Sequence, residues 1–314
     1  MILTVTLNPA LDVTYRLAVV RRHAGNRVRN VRQQAGGKGV NVARVLGALG
    51  EAAVVTGLAG GPSGQALRAD LAAAGLRDEL VEVAGETRRT VAVADDQDAT
   101  VFLEPGPQVT TAEWRSFLTH YQRLLRGASA VVLSGSLPPG LPTDAYRALI
   151  DLARSHGVPA VLDAEGQALL SALPARPAVV KPNATELAAA TGTEDPVRGV
   201  ERLRAAGAAA VVASFGPDGL LAATPEGAWR ASPPEPLPGN PTGAGGSAVA
   251  ALALGLAAAA PWPERLRQAV ALSAATVLAP QAGHYDADAY QRLLDLVLVE
   301  RPDHPRPAQP EGEP

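Results

Sequence analysis

Residues 130–162 read AVVLSGSLPPGLPTDAYRALIDLARSHGVPAVL, and this stretch decides the fold class of the chain. Short apolar runs at Ala130–Leu133 and Pro159–Leu162 flank a helical pattern at Pro142–His156. Strands that read as continuous apolar runs and alternate with helices are typical of a parallel sheet that is covered on both faces. We therefore predict two parallel strands joined by a helix.

The same alternation extends in both directions along the chain. Further buried strands are predicted at Ile2–Leu7, Ala53–Leu58, Ala178–Val180 and Ala209–Ala213. Further helices are predicted at Gly39–Leu49, Gly64–Ala74, Thr111–Leu125, Val197–Ala206, Thr242–Leu256, Pro263–Leu278 and Asp286–Leu298. The pattern predicts an α/β fold in which a mainly parallel sheet lies between two helical layers.

Two segments interrupt this alternation. Residues 12–34 and 87–103 carry alternating, partly polar strand patterns. We expect them to form a small accessory sheet that is inserted into a single domain spanning residues 1–300. The last residues, 301–314, are rich in proline and polar side chains, and this composition is typical of a disordered tail.

Composition and charge exclude several classes of function. The 314 residues include 28 basic and 31 acidic side chains, so there is no basic excess that would indicate a nucleic-acid partner. The absence of cysteine excludes disulfides, thiolate metal sites and a cysteine nucleophile. The start lacks a signal-peptide pattern, and the longest apolar run, Ala248–Ala260, is shorter than the ~20 residues of a membrane helix. We expect a soluble cytoplasmic protein with no membrane partner.

A glycine-rich segment, GGKGVNVA at residues 36–43, is the first candidate site. Glycines let the backbone approach a ligand closely, and the helix that follows offers free N–H groups. The segment is not a Walker A loop, because Lys38 is followed by Gly39 and not by serine or threonine. A tight strand-to-helix turn without a ligand explains the same residues equally well.

A second segment, NPTGAGGSA at residues 240–248, opens an alanine-rich helix. Consecutive N–H groups at a helix start form a site for an anion. The segment also fits a loose dinucleotide-binding pattern, but that fingerprint requires a preceding strand in a β-α-β unit. Residues 232–239 form a proline-rich approach instead, so a nicotinamide site is disfavoured.

The third segment, KPNATEL at residues 181–187, directly follows a predicted strand. Asn183 and Glu186 have the spacing of a helix capping box, which is a purely structural explanation. They also place an amide and a carboxylate at the edge of the sheet where ligands usually bind, and such oxygens suit a hydrated Mg²⁺ ion. The sequence leaves both interpretations open.

Five motifs in order along the chain resemble the ribokinase/PfkB carbohydrate kinases, most closely the branch of 1-phosphofructokinases and tagatose-6-phosphate kinases. They are TVTLNPALD at residues 4–12, AGGKGVNVA at 35–43, LSGSLP at 133–138, KPNATEL at 181–187 and NPTGAG at 240–245. The resemblance extends from Thr4 to about Ala282. It implies a ribokinase-like three-layer α/β/α sandwich with a mainly parallel sheet and a small β-sheet lid.

The resemblance also implies an activity, which is ATP- and Mg²⁺-dependent transfer of a phosphoryl group to a sugar phosphate. The acceptor would be fructose 1-phosphate, fructose 6-phosphate or tagatose 6-phosphate, the product would be a bisphosphate, and the lid would form a homodimer. The residues implied to bind the sugar phosphate are Asp12, Gly37, Lys38, Asn41, Arg88 and Ser136. Those implied to bind the nucleotide are Lys181, Asn183, Glu186, Ser214, Gly216, Gly243 and Gly245, with Asn183 and Glu186 also holding Mg²⁺ through water. The backbone of Gly243, Ala244 and Gly245 would receive the transferring phosphoryl group.

The chain departs from this family at the position of the catalytic base. The family signature reads Gly-Ala-Gly-Asp, with the aspartate as general base, whereas this chain has Gly246 there. In the lid, Val101 and Leu103 replace a carboxylate and an amide. Three hypotheses follow. The chain is an active sugar-phosphate kinase in which Asp12, Asp163 or Glu165 would replace the base, or it is a catalytically impaired relative that binds nucleotide or sugar phosphate as a regulatory protein, or it keeps the fold alone and its loops serve as turns.

Overall fold

The computed structural model describes residues 1–95, 98–279 and 281–301. Fifteen strands are found in this part of the chain. They are β1 (Ile2–Thr6), β2 (Ala10–Arg16), β3 (Asn30–Gly36), β4 (Ala53–Ala59), β5 (Arg77–Asp78), β6 (Val81–Glu82), β7 (Arg88–Ala94), β8 (Ala99–Leu103), β9 (Ala130–Ser134), β10 (Ala160–Asp163), β11 (Val179–Val180), β12 (Val211–Ser214), β13 (Leu220–Thr224), β14 (Gly227–Ser232) and β15 (Leu298–Glu300).

Ten α-helices accompany these strands within the described residues. They are α1 (Lys38–Ala48), α2 (Gly61–Ala73), α3 (Thr111–Leu125), α4 (Ala145–Ser155), α5 (Gly166–Ala172), α6 (Ala184–Thr191), α7 (Pro196–Ala205), α8 (Ala244–Ala257), α9 (Trp262–Val277) and α10 (Ala287–Leu296). None of them is long and apolar enough to cross a membrane, as far as the structure describes the chain.

The large sheet has eleven strands, ordered β15-β14-β13-β12-β11-β10-β9-β1-β4-β5, with β6 also paired to β4. Every pairing from β12 to β5 is parallel, and the three pairings from β12 to β15 are antiparallel. The β9-α4-β10 unit predicted from residues 130–162 is present, with Ala160 paired to Val131. The mainly parallel sheet expected from the sequence is therefore confirmed.

Buried side chains lie on both faces of this sheet, because successive residues of a strand point to opposite sides. On β9, Val131 and Leu133 join one cluster, whereas Val132 joins the other. The first cluster contains the aromatic side chains of α3, including Phe117 and Tyr121, and the second contains α8 and α9. Helices thus cover both faces and give the three layers that the sequence predicts.

A second, four-stranded sheet has the order β3-β2-β7-β8. Strand β2 pairs antiparallel with β3 and parallel with β7, and β7 pairs antiparallel with β8. These strands come from the two segments that the sequence singled out, so the small second sheet is confirmed. It joins the main fold through the turn between β3 and α1, which carries the glycine-rich segment.

The antiparallel edge of the large sheet is a difference from the sequence prediction. Strands β13 and β14 were not predicted, and the helix predicted to reach Leu298 ends at Leu296, where β15 follows after one residue. Alanine-rich strands such as β13 carry a weak strand signal, because alanine has a low β propensity. The predicted disordered tail lies outside the described residues apart from Arg301.

Candidate active site

A cleft of about 770 Å³ opens where the parallel strands of the large sheet end. Asp163 is the last residue of β10, Lys181 directly follows β11, and Ser214 ends β12. Their register is fixed by the backbone, since the Lys181 N–H continues the ladder to the Leu162 carbonyl at 3.0 Å. The carboxyl ends of parallel strands are the usual ligand edge of an α/β sheet, so polar groups of separate elements meet here.

Most of the site residues predicted from the sequence line this cleft. They are Lys38, Asn41, Lys181, Asn183, Glu186, Ser214, Gly216, Gly243, Ala244, Gly245 and Gly246. The other four do not line it and belong to a neighbouring group; they are Asp12, Gly37, Arg88 and Ser136.

Four charged side chains face one another on one wall of the cleft. Lys38 Nζ lies 3.6 Å from Asp163 Oδ1 and 3.6 Å from Glu186 Oε1. Lys181 Nζ lies 3.9 Å from the same Asp163 oxygen. Asp163 and Lys181 are buried, whereas the Lys38 side chain is 45% exposed. Burial lowers the pKa of Lys38, but the charges of Asp163 and Glu186 outweigh it and raise the pKa, so the ammonium stays charged.

Helix α6 begins in this wall with a complete capping box. The Glu186 N–H donates to Asn183 Oδ1 at 2.8 Å, and the Asn183 N–H donates to Glu186 Oε2 at 2.9 Å. The other carboxylate oxygen, Oε1, is the one that faces Lys38. The structural and the functional interpretations of this motif are therefore compatible, because the cap uses only one of the two carboxylate oxygens.

The N-terminus of α8 also lines the cleft, where it offers backbone and no charge of its own, and it adjoins the charged wall, since a Cβ built on Gly245 would lie 3.4 Å from Lys181 Nζ. Gly243 precedes the helix with a φ of 95°, and a Cβ there would lie 3.0 Å from the Ala282 Cα. Only glycine meets both conditions without strain. The first N–H groups of a helix have no acceptor inside it, and residues 243–246 all line the cleft. This end of the cleft is built to receive an anion.

Gly246 is the position where the sequence lacks the expected carboxylate. It lies in the first turn of α8, and the nearest atom to a Cβ built there would be Val42 Cγ2 at 3.8 Å. That distance is an ordinary van der Waals contact. A Cβ at this position therefore fits without displacing a neighbour.

Two parts of the cleft were missed by the sequence reasoning. Asp163 was considered only as one of three substitutes for the missing base and was not assigned to this wall, although an acidic residue that ends a buried strand is a usable signal. The apolar lining from α9, including Val270, Ala274 and Val277, gave no signal. The apolar residues of α9 have the spacing of any helix that packs on a core. The sequence therefore cannot distinguish residues that line a pocket from residues of the core.

The neighbouring polar group lies where the small sheet meets the large one. Arg88 Nε donates to the Asn8 carbonyl at 3.1 Å, and Asn8 Nδ2 donates to Ser136 Oγ at 3.2 Å. Asp12 lies on β2 beside β7, where burial raises its pKa to about 6 although Thr90 and Arg88 act in the opposite direction. An acid and a guanidinium are thus held together at this end.

The glycine-rich turn connects the two groups. Gly36 packs against the Asp12 carboxylate so closely that any side chain at this position would overlap it. Gly37 has a φ of 112° and turns the chain into α1, whose first residue is Lys38. The turn therefore joins the Asp12 group to α1, whose first side chain, Lys38, belongs to the charged wall of the cleft.

Comparisons with known proteins agree with this architecture. A model of the pfkB family carbohydrate kinases matches residues 6–288. Escherichia coli phosphofructokinase-2 in complex with fructose-6-phosphate is similar in structure with a TM-score of 0.86, at 31% identity over 94% of this chain and 98% of that chain. A possible 1-phosphofructokinase from Thermotoga maritima has a TM-score of 0.86, at 29% identity over 96% of this chain and 99% of that chain. Arabidopsis thaliana ribokinase complexed with ribose and ATP shares the fold, with a TM-score of 0.76 at 21% identity over 93% and 98%. The family and the ribokinase-like fold expected from the five motifs are confirmed.

Proposed function

The chain belongs to the PfkB family of carbohydrate kinases and is a phosphotransferase, and from this premise we propose that it phosphorylates a sugar phosphate to a bisphosphate. The acceptors we propose are fructose 1-phosphate, fructose 6-phosphate and tagatose 6-phosphate. One observation carries the proposal: an uncharged helix N-terminus and four charged side chains line the same cleft.

ATP is the co-substrate that a kinase of this family implies. We place its phosphates at the N-terminus of α8, where the backbone of Gly243, Ala244 and Gly245 lines the cleft. Of these three residues, Ala244 already donates its N–H to the Pro241 carbonyl at 3.1 Å. Ser214 and Gly216 line the same cleft beside the apolar face of α9, so the base of the nucleotide would lie toward that face. The helix N-terminus would stabilise the charge of the transferring phosphoryl group.

A magnesium ion fits the charged wall of the cleft. Asp163 and Glu186 point oxygens at one cation, the Lys38 ammonium, and Asn183 lies beside them. Oxygen donors that leave room for water suit Mg²⁺, although no group of three acidic or histidine ligands exists among the described residues. The nucleotide phosphates would complete the coordination, and the bound ion would neutralise charge on them.

The sugar phosphate would bind between the small sheet and the cleft. Asp12 would accept hydrogen bonds from sugar hydroxyls, and with a pKa of about 6 its carboxylate is mostly ionised at neutral pH. Arg88 would pair with the substrate's own phosphate. Ser136 and Asn41 would complete this side, and the small sheet would act as a lid that excludes water.

The reaction forms a bond between a sugar hydroxyl oxygen and the γ-phosphorus of ATP and breaks the bond to ADP. Residue 246 carries no carboxylate, so the hydroxyl proton would pass to an oxygen of the phosphoryl group that is being transferred. Phosphoryl transfer depends mainly on positioning and electrostatics, and both are present in this cleft. The alternative of an impaired, non-catalytic relative receives no support from the comparisons.

The first test measures ADP release from Mg²⁺-ATP with and without each of the three sugar phosphates. We expect sugar-dependent release with one of them. Folded protein that binds ATP and shows no sugar-dependent release with any of the three would contradict the proposed acceptor class.

Restoring the carboxylate is the sharper test. Because a Cβ fits at residue 246 without a clash, Gly246→Asp should raise kcat by about 10²–10⁴-fold, the usual contribution of a placed base. Gly246→Asn is the matched control, since it has the same size and no basic carboxylate. Equal rates for both variants would show that proton transfer to residue 246 does not limit this enzyme.

We also propose that the small sheet forms a homodimer. Phe102 and Leu103 on β8 are 59% and 70% exposed, and Val101 beside them is exposed as well. Burial of such side chains favours association. Sedimentation velocity should show a dimer that Phe102→Asp converts to a monomer; a monomeric parent chain would contradict this assignment.

A further inference from the structure

Arg44 on α1 does not line the cleft, but its guanidinium holds the end of β3. Arg44 Nη2 pairs with Asp70 Oδ2 of α2 and donates to the Ala35 carbonyl at 3.4 Å. The same Asp70 oxygen accepts the Ala35 N–H at 2.9 Å. One ion pair therefore fixes both backbone groups of Ala35, and its arginine side chain is only 10% exposed.

The end of β3 is also the surface on which the Asp12 carboxylate rests. Gly36 follows Ala35, and the carboxylate of Asp12 occupies the space that a Cβ of residue 36 would need. Burial raises the pKa of Asp12, and the charge of Arg44 is one of the influences that lower it, after Thr90 and Arg88. The guanidinium of Arg44 thus acts on Asp12 through its charge and through the backbone that it holds.

The aliphatic stem of Arg44 supports the other end of the site. Gly283 packs on this stem so closely that a Cβ on residue 283 would lie 2.9 Å from Arg44 Cδ. The preceding residue, Ala282, lies against Gly243, because a Cβ on residue 243 would lie 3.0 Å from the Ala282 Cα. The backbone at 282–283 therefore lies between the Arg44 stem and the start of α8, where we place the phosphates of ATP.

We infer that Arg44 is a positioning residue that acts on both substrate groups through two parts of one side chain. Its guanidinium, held by Asp70, fixes the end of β3 behind Asp12. Its stem supports the backbone behind Gly243. Close-packed interiors transmit small displacements, and a misplacement of about 1 Å can cost ~10²-fold in rate. The inference rests on the proposed function for the ligand at each end.

The first experiment separates the two parts of the side chain. Arg44→Met keeps most of the stem and removes the guanidinium, so kcat/KM for the sugar phosphate should fall about 10–100-fold. Its affinity for a non-hydrolysable ATP analogue with Mg²⁺, measured by calorimetry, should stay close to that of the parent protein. Arg44→Ala removes the stem as well and should also bind the analogue about tenfold more weakly.

Each part of the inference has its own contrary result. Equal affinities for the analogue in Arg44→Met and Arg44→Ala would overturn the role of the stem. An unchanged kcat/KM for the sugar phosphate in Arg44→Met would overturn the role of the guanidinium. Thermal unfolding checks that each variant is folded at the temperature of the measurements.

Arg68 on α2 provides the matched control. It forms a partly buried ion pair with Asp78 through bonds of 2.8 and 3.0 Å, and its bonds go to residues 78–82, which do not line the cleft. Arg68→Met should lower the melting temperature as Arg44→Met does, but it should leave kcat/KM and the affinity for the analogue unchanged. Equal kinetic losses in the two variants would show that Arg44 acts through stability alone.

The second experiment tests the guanidinium in the protein without nucleotide or sugar. The carboxyl of Asp12 is titrated by carbon NMR of protein labelled in its aspartate side chains, with Asp12→Asn to assign the signal. The parent protein should titrate with a pKa of about 6. Arg44→Met should titrate at higher pH, because the variant loses a positive charge that favours the carboxylate while Thr90 and Arg88 are unchanged. An identical pKa of Asp12 in the two proteins would overturn the action of Arg44 on this group.

Asp70→Asn distinguishes positioning from charge. This variant keeps the charge of Arg44 and an oxygen for the Ala35 N–H, so the pKa of Asp12 should not rise. The guanidinium loses its ionic anchor, and kcat/KM for the sugar phosphate should still fall; full activity would overturn the positioning role. If none of fructose 1-phosphate, fructose 6-phosphate and tagatose 6-phosphate reacts with the parent protein, the proposed acceptor is wrong, and the titration still decides whether Arg44 acts on Asp12.

Discussion

Helices α3 and α6 begin with the same capping box, and only one of the two lies in the cleft. In α3, the Glu113 N–H donates to Thr110 Oγ1 and the Thr110 N–H donates to Glu113 Oε2. In α6, Asn183 and Glu186 make the same reciprocal pair. The motif itself therefore fixes a helix start and says nothing about function.

The difference lies in the second carboxylate oxygen. Glu113 Oε1 accepts the Ala84 N–H at 2.7 Å, and this bond, together with those from Thr110, lowers the pKa of Glu113. All of its bonding stays within the fold. Glu186 Oε1 faces the Lys38 ammonium inside the cleft instead. A capping glutamate becomes available to a ligand only where the fold leaves its second oxygen facing a site.

The largest expected difference between the two boxes is in activity. Glu186→Gln keeps a side-chain oxygen for the cap but removes the charge that faces the cleft, so kcat/KM should fall about 10–100-fold, as for groups that support a metal site. Glu113→Gln makes the same chemical change in α3 and should leave kcat/KM within twofold. Steady-state kinetics at fixed Mg²⁺ measures both variants.

A titration with Mg²⁺ tests whether this loss of activity comes from weaker metal binding. If Glu186 supports the metal, excess Mg²⁺ should restore part of the activity of Glu186→Gln. Equal losses in the two variants would break the comparison, because the α6 box would then contribute only to folding.

The fold was largely predictable from the sequence, whereas the site was predictable only in part. Apolar runs such as Ala130–Leu133 have the length and spacing of buried parallel strands, so the sheet and its helices follow from local pattern. The antiparallel strands β13–β15 were not predicted, because their residues have a weak preference for strands and because their pairing depends on the tertiary fold.

The sequence predicted the site residues that lie in short contiguous motifs. It did not predict the contacts between residues that are far apart in the chain. Gly243–Gly246 and Asn183–Glu186 are short segments, and their chemistry can be read from spacing. The ion pairs of Lys38 with Asp163 and Glu186 span more than 120 residues of chain. No pattern in one sequence predicts that contact, which depends on three elements meeting at one edge of the sheet.

We expect the capping boxes of α3 and α6 to contribute equally to the stability of the fold. Thr110→Ala and Asn183→Ala each remove a side-chain acceptor from a helix start, and each should lower the free energy of unfolding by about 1 kcal/mol. Urea denaturation measures this loss, which is smaller than the effects on activity expected at Glu186.

Serine at both positions completes the test, because serine caps a helix as well as asparagine or threonine does. Asn183→Ser and Thr110→Ser should both regain the stability that alanine removes. Activity should separate them: Thr110→Ser should equal the parent enzyme, whereas Asn183→Ser should stay below it, since a shorter hydroxyl replaces the amide that lines the cleft. Full activity of a stable Asn183→Ser variant would mean that Asn183 serves the helix alone and that Glu186 is the functional half of the α6 box.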